Sequence, residues 1–206
     1  MKNVNIKILF LCTKKYLNGE SGRERNSLFQ ALKSYANVSC LDCFDSSIDR
    51  AVEDQDFDLI LHPDVHRPYL PEGLVSVDTP TACLHIDTYS EPENRMRVSM
   101  LFDWTLVCHP GYPEQFEANG HPEATLFPLA VRKDYYEGPL PEKKVDVAVV
   151  GRLSGKDYSY RRRCVKVVEK MNIVTNDFGQ YYDYEEMSNL YKDSKIGLNV
   201  SRNSHL

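Results

Sequence analysis

Three places in the sequence gather side chains able to move protons or hold anions. His85-Ile86-Asp87 sets an imidazole and a carboxylate two residues apart, on one face of an extended chain. Such a pair suits general-base chemistry, one group taking a proton from a hydroxyl while the other orients or charges it. The competing role for Asp87, with Ser90, is to organise the helix that follows. His109, beside Pro110 and Gly111, is the second candidate base. The next place is Gly151-Arg152-Leu153-Ser154-Gly155-Lys156. Gly151 and Gly155 let the main chain approach a ligand closely, and Arg152 and Lys156 supply positive charge, as in an anion nest. The alternative is that Arg152 pairs with a surface carboxylate. The third place is Asn18-Gly19-Glu20-Ser21-Gly22. Amides at Gly19 and Gly22 would contact a phosphate or a second substrate; otherwise the segment is a solvated loop with a helix cap at Ser21.

Other residues carry weaker signals. His62 and His66 flank Pro63 and Asp64 and are expected to recognise an acceptor molecule. A metal pair at that spacing needs a helical turn, which Pro63 opposes, so no metal site is expected. Arg161, Arg162 and Arg163 read as the solvated start of a helix, where the dipole disfavours cations, which points to an anion nearby. Tyr181, Tyr182 and Tyr184 either stack on a base or pack. A Walker loop and a full G-x-G-x-x-G are both absent from the sequence. Cys40-x-x-Cys43 lies in a strand-like run, which sends the two thiols to opposite faces and argues against zinc or a dithiol pair. The six cysteines sit mostly in apolar runs and read as reduced, buried thiols.

The elements that must position these groups alternate. Short apolar runs at 5–12, 38–44, 58–62, 81–86, 104–108 and 124–127 read as strands. Helical patterns lie between most of them, with capping boxes of Ser or Asp followed three residues later by Glu at Ser21, Ser90 and Asp183. Pro113 opens a short helix that Gly120 closes. Continuously apolar strands alternating with helices predict a parallel sheet covered on both faces, with ligands at the carboxyl ends of its strands. A polar stretch at 131–144 with two prolines reads as a linker, after which the pattern restarts with strands at 145–150 and 196–200, and a further short one at 172–175. The fold class expected is therefore α/β with two Rossmann-like parallel-sheet domains, residues 1–138 and residues 139–206, the second incomplete. Truncation is the favoured explanation, since a bare strand near 200 leaves an unprotected edge; completion by a homodimer is the other.

Composition narrows the function classes. The chain has 206 residues, 42% hydrophobic and 27% charged, with a net charge of −5. That is ordinary for a globular protein and lacks the basic footprint of a nucleic-acid binder. No run approaches the ~20 apolar residues of a membrane span, and the start lacks a signal-peptide pattern, so a cytoplasmic location is expected.

Three segments are similar to a known family. Residues 126–136 read LFPLAVRKDYY, residues 145–163 VDVAVVGRLSGKDYSYRRR, and residues 184–201 YEEMSNLYKDSKIGLNVS. They resemble glycosyltransferases of the spore maturation protein CgeB group, which have the glycosyltransferase B architecture. The resemblance implies an enzyme that moves a sugar from a nucleotide-sugar donor to an acceptor hydroxyl, without a cofactor or an essential metal. It implies an acceptor-side first domain and a donor-side second domain, and it strengthens Asp87, which matches an aspartate common at that place. In that chemistry the Gly151–Lys156 loop, with Gly19 and Gly22 opposite, would hold the donor diphosphate. The family's acidic ribose-gripping stretch does not follow before Leu206, so a non-catalytic binding module is the alternative expectation. A flavodoxin-like regulator is a third reading, opposed by the basic Thr13-Lys14-Lys15 where such proteins are acidic.

Overall fold

The computed structural model describes residues 5–13, 23–43, 47–64, 70–121, 123–130 and 133–200. The chain divides into two compact units, Met1–Ala130 and Val131–Leu206, each with its own sheet. The first unit holds strands β1 (Lys7–Cys12), β2 (Asn37–Asp42), β3 (Leu59–Pro63), β4 (Thr81–His85), β5 (Trp104–Val107) and β6 (Ala124–Leu126). All pair in parallel, in the order β2-β1-β3-β4-β5-β6. The expected parallel α/β sheet is present in this unit, which has a Rossmann-like α/β fold. The order in which strands are added reverses between β1 and β3, where folds of this kind open a crevice.

The apolar run of β1 from Ile8 to Cys12 follows from burial on both faces. Ile8, Phe10 and Cys12 point to one side, against Leu28, Phe29 and Leu32 of helix α1 (Arg23–Lys33). Leu9 and Leu11 point to the other, with Leu41, Ile60, Cys83 and Ile48 of helix α2 (Ile48–Asp54). Ser47 caps α2 by accepting from the amide of Asp49 at 3.2 Å.

Helix α3 (Pro92–Ser99) starts differently from the expectation. The Ser90–Glu93 capping box does not form. Glu91 is the cap residue, left-handed at φ 58°, without a side-chain cap bond. A turn between Asp87 and Ser90, closed by Ser90 N–H donating to the Asp87 carbonyl at 2.8 Å, feeds the chain into the helix, and Pro92 occupies its first turn. The Ser90 carbonyl then accepts from Arg95 Nε at 2.8 Å. In helix α4 (Tyr112–Ala118) the proline and glycine fall as expected, Pro113 in the first turn and Gly120 just beyond the end at φ 95°. The Ser21 box lies outside the described residues.

In the second unit, β7 (Val145–Ala148) pairs in parallel with β8 (Ser194–Gly197), and Val147 makes a parallel bridge to Thr175. The last strand begins two residues earlier than its apolar run, straight from helix α6 (Tyr184–Asp193). Helix α5 (Ser159–Glu169) buries Val165 and Val168. The Asp183 capping box of α6 is complete, with Glu186 N–H donating to Asp183 at 2.8 Å and Asp183 N–H to Glu186 at 2.9 Å. The polar stretch before β7 lies on α6: Ser188 Oγ donates to the Tyr135 carbonyl, and Lys192 Nζ to that of Glu137 at 3.2 Å.

Candidate functional site

The carboxyl ends of β3, β4 and β5 carry a connected cluster of polar groups. Arg95, reaching in from α3, is 3% exposed. Its Nη1 donates to Asp64 Oδ1 at 3.1 Å and lies 3.3 Å from His85 Nδ1. Asp64, at φ 56° just past β3, also accepts from the Ile86 amide at 3.4 Å. One guanidinium thus ties the end of β3 to the end of β4 and to the turn before α3.

The tautomer of His85 follows from its partner. Arginine only donates, so Nδ1 accepts and the ring proton sits on Nε2, which faces Cys83 Sγ at 3.6 Å. The same reasoning applies to His121, whose Nδ1 accepts from the Glu123 amide at 3.1 Å. Its Nε2–H therefore donates to the Ser99 carbonyl at 3.1 Å and to Thr105 Oγ1 at 2.8 Å. The Thr105 hydroxyl is left to donate to Cys83 Sγ at 3.3 Å. A continuous buried chain of polar groups results, from His121 through Thr105, Cys83 and His85 to Arg95 and Asp64. Burial pushes the Cys83 thiol up to about 12, so it stays a neutral link. Satisfied buried networks of this kind fix one arrangement of their members.

Above this frame lie the solvent-facing groups. Asp87 is exposed and accepts from the Tyr89 hydroxyl at 3.3 Å. The Tyr89 ring meets His109 edge-on at 5.1 Å, and the Tyr112 ring does so at 6.3 Å. His109 Nδ1 is buried with no hydrogen-bond partner among the described residues. Cys108 belongs to the same neighbourhood: burial, then the negative charges of Asp64 and Asp87, push its thiol up to about 11.

The expected His85–Asp87 pair is thereby separated. His85 is fully buried and its accepting nitrogen is occupied by Arg95, so it positions the arginine rather than facing solvent. Asp87 and His109 remain at the surface end of the strands. His62 is 8% exposed, edge-on to Phe102 at 6.2 Å, and is a packed residue here rather than one presented to an acceptor. His66, Gly19 and Gly22 lie outside the described residues. Asp64, Arg95, Tyr89, Thr105 and His121 were not singled out by sequence. A signal existed for the frame: Thr81, Cys83 and His85 place three polar groups on one face of an otherwise apolar strand.

In the second unit the glycine loop follows β7 and leads into α5. Gly151 at φ 141° and Gly155 at φ 96° adopt backbone conformations that other residues rarely take. A side chain at Gly151 would meet Arg161 Nη1 at 2.5 Å. Arg161 and Arg162 are not simply solvated. Arg161 donates to the Val200 carbonyl at 2.8 and 2.6 Å and to that of Arg152 at 3.1 Å. Arg162 donates to the Leu153 and Gly155 carbonyls at 2.7 and 2.5 Å. The loop's carbonyls thus face the helix and are held there, while Arg152 and Lys156 are exposed. The tyrosines divide: Tyr184 stacks on Tyr135 at 6.0 Å, the Tyr182 hydroxyl donates to the Asp177 carbonyl at 3.0 Å, and Tyr181 is 71% exposed.

Cys40 and Cys43 do turn to opposite faces, Cys43 packing with the cluster of Leu9 and Leu11. Among the described residues no helix is long and apolar enough to cross a membrane. Compared with protein-family models and with curated proteins, the chain matches none.

Proposed function

We propose that this chain takes part in glycosyl transfer from a nucleotide-sugar donor to an acceptor hydroxyl. The reaction asks for a base to take the acceptor proton and for stabilisation of the departing diphosphate. On this reading Asp87 is the base, with His109 beside its hydrogen-bond partner Tyr89. The Gly151–Lys156 loop takes the diphosphate, through exposed Arg152 and Lys156. The observation that carries the reading is that pinned loop: carbonyls drawn back by Arg161 and Arg162 at a strand-to-helix turn leave cationic side chains outward, which suits an anion. The likeness of residues 145–163 and 184–201 to glycosyltransferase segments supplies the substrate class.

A second reading is a binding module that does not turn over. The engagement of His85 by Arg95 favours it, because Asp87 then lacks the imidazole expected to assist it.

Calorimetry of the chain against a panel of nucleoside diphosphates tests the shared claim. Binding that Arg152→Ala weakens by about tenfold, equal to ~1.4 kcal/mol, supports the diphosphate site; no binding across the panel removes it. A sugar-transfer assay separates the readings. Asp87→Asn is expected to lower a measured rate by about 10² to 10⁴, whereas binding without any transfer leaves only the module.

A further inference from the structure

The conspicuous C-x-x-C of the sequence is not where two thiols meet. Cys40 lies on β2 and Cys12 on the neighbouring β1, 28 positions apart, yet their sulfurs are 2.8 Å from each other. Both lie on the sheet face covered by α1, Cys12 with Phe10 and Ile8, Cys40 in the same alternation as Val38. Cys43 lies on the opposite face. A disulfide bond is about 2.05 Å long, so the pair is within an ångström of bonding, whereas the thiols of the C-x-x-C are divided by the sheet.

We propose that Cys12 and Cys40 form a reversible disulfide in exchange with a low-molecular-weight disulfide such as glutathione disulfide. Cys40 is the exposed partner and Cys12 the buried one, at 4% exposure. Access therefore assigns the order of events. The Cys40 thiolate attacks the external disulfide, forming a mixed disulfide and releasing one thiolate. Cys12 then loses its proton to solvent or to that thiolate and attacks Cys40 Sγ, expelling the second small thiol. Two protein thiols are oxidised to one disulfide and one external disulfide is reduced to two thiols. The electrostatics agree with this order. The hydrogen bond from Cys12 draws the Cys40 thiol below its ordinary value, and the same contact, with burial, holds the Cys12 proton on. Rates of exchange rise with thiolate fraction and access.

The bond should be labile. In the strand register Cys12 lies opposite Asp42, and Cys40 opposite Phe10. The two cysteines are thus diagonal neighbours, and their sulfurs must still close from 2.8 Å to about 2.05 Å, which has to shift the ends of both strands. Strained disulfides are the easily reduced ones.

The full chain is incubated with glutathione disulfide near pH ~8, the remaining thiols are alkylated, and peptides are mapped without reduction. The expected result is a Cys12–Cys40 linked peptide, a fall from six free thiols to four, and full reversal by dithiothreitol. Cys12→Ser should trap a lasting glutathione adduct on Cys40, and Cys43→Ser should leave the linked peptide unchanged. A Cys40–Cys43 bond, six surviving thiols, or a lasting Cys40 adduct in the unaltered chain would overturn the proposal. Mapping of the unaltered chain decides the matter even if a variant fails to fold.

Discussion

Arg95 in the first unit and Arg161 with Arg162 in the second serve opposite electrostatic ends by similar means. All three reach across from a helix and tie down main-chain carbonyls. Arg95 is buried and meets a carboxylate, Asp64, so its charge is balanced where it sits. Arg161 and Arg162 bond to peptide carbonyls, which are neutral, and these contacts leave the positive charge in place. The first arrangement builds a charge-balanced scaffold that joins the ends of β3 and β4 to the turn carrying Asp87. The second builds a glycine loop with positive character. The difference teaches that an arginine's type says little about its task; the charge of its acceptor and its exposure decide whether it is scaffold or lure.

The contrast is sharpened or broken by removing each arginine. Arg95→Ala removes the buried guanidinium that meets both Asp64 Oδ1 and His85 Nδ1, at an expected cost of about 3 kcal/mol, read as a fall in the denaturant midpoint of the first unit. Arg161→Ala loses bonds to neutral carbonyls at a half-exposed site and strands no buried charge, for about 1–2 kcal/mol in all. Its expected cost is therefore smaller and confined to the second unit. Equal losses in the two variants would break the comparison.

A weaker test uses an exposed pair. The hydrogen bond from Lys195, 2.7 Å from Asp146, then that from the Val174 amide and the charge of the lysine, hold the Asp146 carboxyl below its ordinary range. A carboxylate whose folded value is depressed stabilises the fold above its unfolded value and loses that stabilisation as pH falls through the folded one. Asp146→Asn should thus lower the melting temperature slightly at neutral pH, with the gap to the unaltered chain closing in strongly acid solution. A gap that persists there would mean that hydrogen-bond geometry at Val174, rather than charge, ties Asp146 to its surroundings.

Much of the first unit was legible because both faces of its sheet are covered. Residues 8–12 and 59–61 are apolar at every position, a pattern that a parallel strand between helix layers requires. Caps were legible only where the side chain itself makes the bond. Asp183 and Glu186 form their box, while Ser90 and Glu93, at the same spacing, do not, because the left-handed Glu91 shifts the helix start by one residue. Of the candidate site, Asp87, His109 and the Gly151–Lys156 loop were legible as residues at strand ends. The partners of His85 were not, since Arg95 lies on the next helix and the carboxylate of Asp64 arrives from another strand.

The sequence by itself determined the alternation of strands and helices, and it placed glycines where the Gly151–Gly155 loop needs unusual backbone angles. These are local properties, set by burial period and steric freedom within a few residues. Only the tertiary structure decided which polar groups share a proton or a charge. Cys12 meets Cys40 instead of Cys43, and Arg95 claims the nitrogen of His85 that a base would use. Hydrogen bonds and sulfur contacts act over about 3 Å, and which atoms come that close is fixed by strand order and helix packing, which bring together residues far apart in the chain.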